Sequence, residues 1–272
     1  MAYMQPGDRS LDYFPCHYGA SRLTFRGPRR DLTGEYLAML GGAETYGRLV
    51  PLPFAALLEK ELGLPAANLA CPNAGPDLYL GDRAALEVAA GARLAVVQLT
   101  GGHNISNRFY RVHGRRNDRF IAATPVLRAL YRDVDFTEIH FTRHLLSVLA
   151  AKCDERFDLV LQELKTQWVQ RMIEVLEQLP YRRLLLWLAD HPPAEAGARW
   201  AGGAGTLIDR EMIAALQPYA NGYAELVIAP PPSLDGQLIS LLACEGRGLG
   251  LPDATCHRQV AELLLPKVAA LL

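Results

Sequence analysis

Five short runs, 36–40, 66–70, 94–99, 183–188 and 224–229, constrain this chain more than any other feature. Each is apolar at consecutive positions rather than at alternate ones. That is the pattern of strands buried on both faces. Helical periodicity fills the gaps, at 54–62, 77–90, 157–179, 209–216 and 257–271. Strand–helix alternation implies right-handed crossovers onto a parallel sheet. Gly and Pro cluster where the strands should stop, at Gly41-Gly42, Pro72, Gly75, Gly101-Gly102, Pro192-Pro193 and Pro230–Pro232. The expected fold is therefore α/β: a three-layer α/β/α sandwich with a five-stranded parallel sheet in flavodoxin-like order. Ligands of such sheets bind beyond the carboxyl ends of the strands.

The 272 residues are read as one domain, 1–272. Residues 1–35 lack periodicity and should wrap the domain as an ordered arm that buries Tyr13, Phe14, Tyr18, Leu23 and Phe25. The third and fourth runs lie about 80 residues apart, far more than a plain crossover needs. The excess, 105–156, is expected to be a helical cap, with a helix start at Asp135–Glu138 leading into 140–152. The five cysteines are scattered without a C-x-x-C pair, so they form neither a disulfide framework nor a zinc ribbon. The N-terminus has no apolar leader, and no run approaches the ~20 residues of a membrane span. These features point to the cytoplasm. A net charge of −1 argues against nucleic acid as a partner and says nothing of oligomeric state.

The chemistry-bearing residues sit at the predicted strand ends. Gly41-Gly42-Ala43-Glu44-Thr45-Tyr46-Gly47 follows the first strand. It matches neither the dinucleotide fingerprint nor a Walker loop, so no cofactor is expected. Asn73-Ala74-Gly75 follows the second strand, Gly101-Gly102-His103-Asn104 the third, and Asp253 stands four residues before His257 at the start of the last helix. In order and position these four blocks resemble those of the SGNH (GDSL-type) hydrolase superfamily. The stretches Phe25-Arg26-Gly27-Pro28 and Gly41–Gly47 also resemble an uncharacterised bacterial family, a domain of unknown function.

The SGNH resemblance implies an ester hydrolase or acyltransferase working on an acylated or anionic small molecule or glycan. It assigns His257 as base and Asp253 as its orienting partner. Gly75, Asn104 and the Ala43 amide would be the oxyanion donors. Ala43 stands where the family has its serine, Gly42 where it has aspartate, and Ile105 where it has the second acid. Three accounts of Ala43 remain open. The alanine is native and the protein a binding pseudoenzyme; or Thr45, Cys71 or a water held by His257 replaces the serine; or the alanine is an engineered substitution.

Around these blocks, Glu44, Asn73 and His191 are candidate substrate contacts. Glu44 also suits a helix N-terminus, and Asp190-His191-Pro192-Pro193 also suits a plain turn. His140 and His144 would share a helix face, but with no third ligand evident no metal is expected. Arginines 108, 111, 115, 116, 119, 128 and 132 occur with only Asp118 among them. Arg115 and Arg116 are therefore candidates to hold a phosphate- or sulfate-bearing donor. A solvated loop is the simpler account.

Overall fold

In a computed structural model, which describes residues 11–196, 207–228 and 251–272, the five runs form one parallel sheet. Its strands are β1 (Leu37–Leu40), β2 (Ala66–Asn68), β3 (Leu94–Gln98), β6 (Arg183–Ala189) and β7 (Gly222–Val227). Their order, β2-β1-β3-β6-β7, is the flavodoxin-like one. Successive residues point to opposite faces, and both faces are covered. Leu37, Met39, Leu94 and Val96 meet α2 (Phe54–Leu62) and α9 (Ala254–Leu271). Ala38, Leu40, Ala95 and Val97 face a larger core. That core is built with α3 (Pro76–Leu80), α4 (Arg83–Ala90), α7 (Asp154–Glu177) and α8 (Arg210–Leu216). This is a three-layer α/β/α sandwich. Pro230–Pro232 and the end of the fifth run lie outside the described residues.

The single helix expected over 77–90 is two. Gly81 closes α3, and Asp82 caps α4 by accepting from the Ala85 N–H at 3.0 Å. The 105–156 insertion does carry helices, α5 (Pro125–Leu130) and α6 (Thr142–Lys152). Ahead of them stands an antiparallel hairpin of β4 (Tyr110–His113) and β5 (Arg116–Ala123), an element outside the sequence reading. Asp135 starts no helix. Its carboxylate accepts from the Thr137 N–H at 2.9 Å in a local turn. His140 therefore precedes α6 and shares no helix face with His144.

The arm buries Tyr18, Leu23 and Phe25, and leaves Phe14 55% exposed on a left-handed backbone. Its anchor is Arg26, buried between the Tyr13 and Tyr46 rings. The Arg26 guanidinium donates to the carbonyls of Tyr46, Gly47, Val50 and Pro51. It thus ties down the loop behind α1 (Ala43–Tyr46), the short helix after β1. No helix among the described residues is long and apolar enough to cross a membrane.

Candidate functional site

The site begins with a polar residue inside an apolar strand. Gln98 ends β3, almost fully buried, and its side-chain amide organises the loop after β1. Oε1 accepts from the Gly42 N–H at 3.0 Å and from the Thr45 hydroxyl at 2.6 Å. Nε2 donates to the Glu44 carboxylate at 3.0 Å. A side chain at Gly41 would lie 2.6 Å from that amide oxygen, so only glycine lets strand and amide approach so closely. Burial raises the Glu44 carboxyl above its ordinary pKa. The Gln98 hydrogen bond opposes the rise, and the nearby Asp190 charge adds to it.

Above this floor lies a cavity of about 630 Å³ at the carboxyl ends of β1, β3 and β6. Ala43 and Glu44 form one wall, and His103 and Asn104 another. The β6 end supplies Trp187, Asp190 and His191, while the insertion supplies Asp118, Phe141, Arg143 and His144. His103 is held neutral, its pKa lowered to about 4, chiefly by burial and then by the Arg143 charge. His191 donates from Nδ1 to its neighbour Pro192 O at 2.8 Å, and its Nε2 lies 3.8 Å from the Asp190 carboxylate. Asp118 keeps one carboxylate oxygen, Oδ1, buried without a hydrogen-bond partner among the described residues, while the other faces Arg116 at 3.5 Å.

Of the residues assigned a catalytic or substrate-binding role from sequence, Ala43, Glu44, Asn73, Asn104 and His191 line this cavity, as does His144, considered above only as a metal ligand. Asn104 is fastened from both sides. It donates to Asn73 O at 3.3 Å and accepts the Thr142 hydroxyl at 2.9 Å.

The others do not line it, each for a physical reason. Gly75 packs on the Asn104 backbone, and its N–H is spent on Asn117 Oδ1 at 3.0 Å, so it is no open oxyanion donor. The Thr45 hydroxyl is buried on Gln98. Cys71 is a buried thiol whose pKa is pushed up to about 12 by desolvation, then by Asp82, which leaves it unreactive.

Asp253 caps α9 through the Cys256 N–H at 2.8 Å rather than orienting an imidazole. His257 is 0% exposed, stacks on Phe54 and accepts the Phe54 N–H on Nδ1 at 3.0 Å. Its proton therefore sits on Nε2, which is buried with no hydrogen-bond partner among the described residues. Arg115 and Arg116 occupy the hairpin tip.

Sequence reasoning gave Gln98, His103, Asp118 and Arg143 no role at the site. Only Gln98 carried a signal, a lone amide in an otherwise apolar strand. Among the described residues no group of three or more His, Cys, Asp or Glu is disposed to hold a metal ion.

Fold and site together define an α/β/α sandwich protein with a polar cavity at its strand ends. The chain belongs to the family described as Domain of unknown function (DUF6473), whose model matches residues 1–272. No curated protein matches it. Among solved structures it is similar to phospholipase A1 from Streptomyces albidoflavus NA297 (10% identity, 88% of this chain and 99% of that one, TM-score 0.43). It is also similar to an extracellular lipase from Streptomyces rimosus (9% identity, 88% and 100%, TM-score 0.43). A third is a protein from Lactobacillus plantarum (11% identity, 87% and 97%, TM-score 0.42).

Proposed function

We propose that this protein is a non-catalytic relative of the SGNH hydrolases, which binds a polyol or small glycan in the cavity at its strand ends. The observation that carries this reading is that the groups serine acyl transfer would use are committed elsewhere. Position 43 offers a methyl group. The His257 imidazole is packed on Phe54 with Nδ1 already bonded, and Gly75 has given its N–H to Asn117. A nucleophile and its base must sit within hydrogen-bond reach of each other, and neither is in place.

The wall chemistry favours the ligand class. Among the described residues Glu44, Asp118 and Asp190 line the cavity with one guanidinium, Arg143, and Asp118 already faces Arg116, so the wall offers acceptors rather than a cationic seat for an anion. A sugar brings hydroxyl donors to carboxylate and amide oxygens, and the half-exposed Phe141 ring offers an apolar face beside them. Buried Asp118 Oδ1 is an acceptor that such a hydroxyl would satisfy.

A second reading is hydrolysis or acyl transfer through an activated water. It is favoured by one observation, a neutral His103 imidazole that lines the same cavity as Glu44. A base with a pKa near 4 is poorly matched to neutral pH, which sets this reading second.

The test has two arms. Saturation-transfer NMR with glucose, maltose, glucuronic acid and glucosamine should find the neutral sugars bound and the uronic acid excluded. Acyl-ester hydrolysis should be absent both from the chain as it stands and from Ala43→Ser. A turnover that appears with Ala43→Ser and vanishes with His257→Ala would overturn the binding reading.

A further inference from the structure

The net charge of −1 conceals a local surface of opposite character. Between residues 105 and 132 the chain carries seven arginines against Asp118 alone. Some are neutralised: Arg108 faces Glu163 and Arg116 faces Asp118, each at 3.5 Å. Arg111, Arg115 and Arg119 are exposed and have no acidic partner among the described residues.

The hairpin's geometry gathers these three with apolar groups. Along the ladder Arg111 pairs with Ala122 but Val112 pairs with Phe120, so Ile121 is the extra residue of a β-bulge. Tyr110, Val112 and Phe120 turn into the core, while Arg111, Arg119 and Ile121 turn outward. Ile121 is 57% exposed. Phe141, 43% exposed, bridges to Arg119, whose guanidinium lies 6.0 Å from its ring. Val126 on the following helix is half-exposed as well. The underside is rigid: buried Asn117 accepts from Gly75 and donates to the His113 carbonyl, so the ribbon is held to the body of the fold.

We propose that this outward hairpin face docks the protein on an anionic lipid surface. Guanidinium groups with no acidic partner among the described residues complement phosphate headgroups, and Ile121 with Phe141 supplies apolar area that can enter the headgroup boundary. A soluble polyanion would use the charges and leave the apolar pair in water, which is why the occupant is a membrane face. Phe141 also lines the cavity, so docking would set the cavity mouth beside the lipid interface. The proposal is independent of what the cavity binds.

Co-sedimentation with vesicles tests it. The protein should pellet with phosphatidylcholine vesicles containing phosphatidylglycerol and stay soluble with phosphatidylcholine alone. The triple variant Arg111→Ser, Arg115→Ser, Arg119→Ser should bind the anionic vesicles about 100-fold more weakly, and Ile121→Ser about tenfold more weakly. Unchanged melting temperatures would confirm that these exposed substitutions leave the fold intact. Absence of binding to anionic vesicles would overturn the proposal. So would an Ile121→Ser variant that binds them like the parent while heparin competes fully, the behaviour of a purely electrostatic polyanion site.

Discussion

His103 and His257 are both held neutral by burial with pKa values near 4, yet one lines the cavity beyond the strand ends and the other is packed between two helices. His103 closes the loop after β3 and looks into the cavity, with Arg143 as its charged neighbour. His257 lies in the first turn of α9, against α2. One ring nitrogen there is engaged by backbone and the ring face is covered by Phe54. The residue that sequence likeness marks as the base has become part of the packing. The residue to which its block assigns no role is the imidazole a ligand would meet. A family block transfers a position in the chain, but the job of its side chain is set by which face of the sheet its helix turns toward.

Substitution at His257 should separate the two most strongly. His257→Ala strands the Phe54 N–H in an apolar site and opens a void beside its ring. A loss of about 3 kcal/mol in unfolding free energy is expected. Sugar binding measured by NMR should be unchanged. A variant of near-parental stability that no longer binds sugar would break the contrast and return His257 to the site.

The next effect is on pH dependence. An imidazole free in the unfolded chain takes its proton near 6.5, whereas folded His257 resists it down to about 4, owing first to burial and second to Arg26. Between those values the unfolded state binds the extra proton, so stability is complete above pH 6.5 and falls as the pH drops. The His257 share is about 2 kcal/mol at pH 5 relative to pH 7. His103 adds in the same direction. His257→Gln offers an amide oxygen to Phe54 and removes one titration, so urea midpoints at pH 7 and pH 5 should move closer together than in the parent. An unchanged difference would show that His257 is not the group resisting protonation.

The architecture was legible because both-faced burial leaves runs of consecutive apolar residues, and all five runs became strands in the expected order. The hairpin was not. Its outward positions are arginines, and the bulge at Ile121 breaks the two-residue period before it can be recognised. Much of the cavity was legible as strand-end loops: Ala43, Glu44, Asn73, Asn104 and His191 all line it. What spacing could not reveal is hydrogen-bond commitment. Gly75, Thr45, Asp253 and His257 carry suitable groups, but Asn117, Gln98, Cys256 and Phe54 hold them, and those partners come from distant segments or from a local cap. Asp118 and Arg143 reach the cavity only because the insertion folds back over it, with Thr142 bonded to Asn104.

The smallest stability effect belongs to the cavity side of the comparison, and it is the sharpest test of function. His103 is partly exposed at the cavity, and among the described residues its imidazole makes none of the bonds that hold the loop. Those run from the Asn104 N–H to Gly101 O at 2.8 Å and from the Tyr110 hydroxyl to the His103 carbonyl at 2.7 Å. His103→Ala should therefore lower stability by less than about 1 kcal/mol, within the range of substitutions that leave core and caps intact. The same change removes a polar ligand contact and should weaken binding of the neutral sugar probes about tenfold, the size of one hydrogen bond to a ligand. If His103→Ala instead destabilises the protein as much as His257→Ala while sparing sugar binding, both imidazoles are packing residues. The ligand would then have to be held by the other lining groups, Glu44, Asp118 and Asp190 foremost.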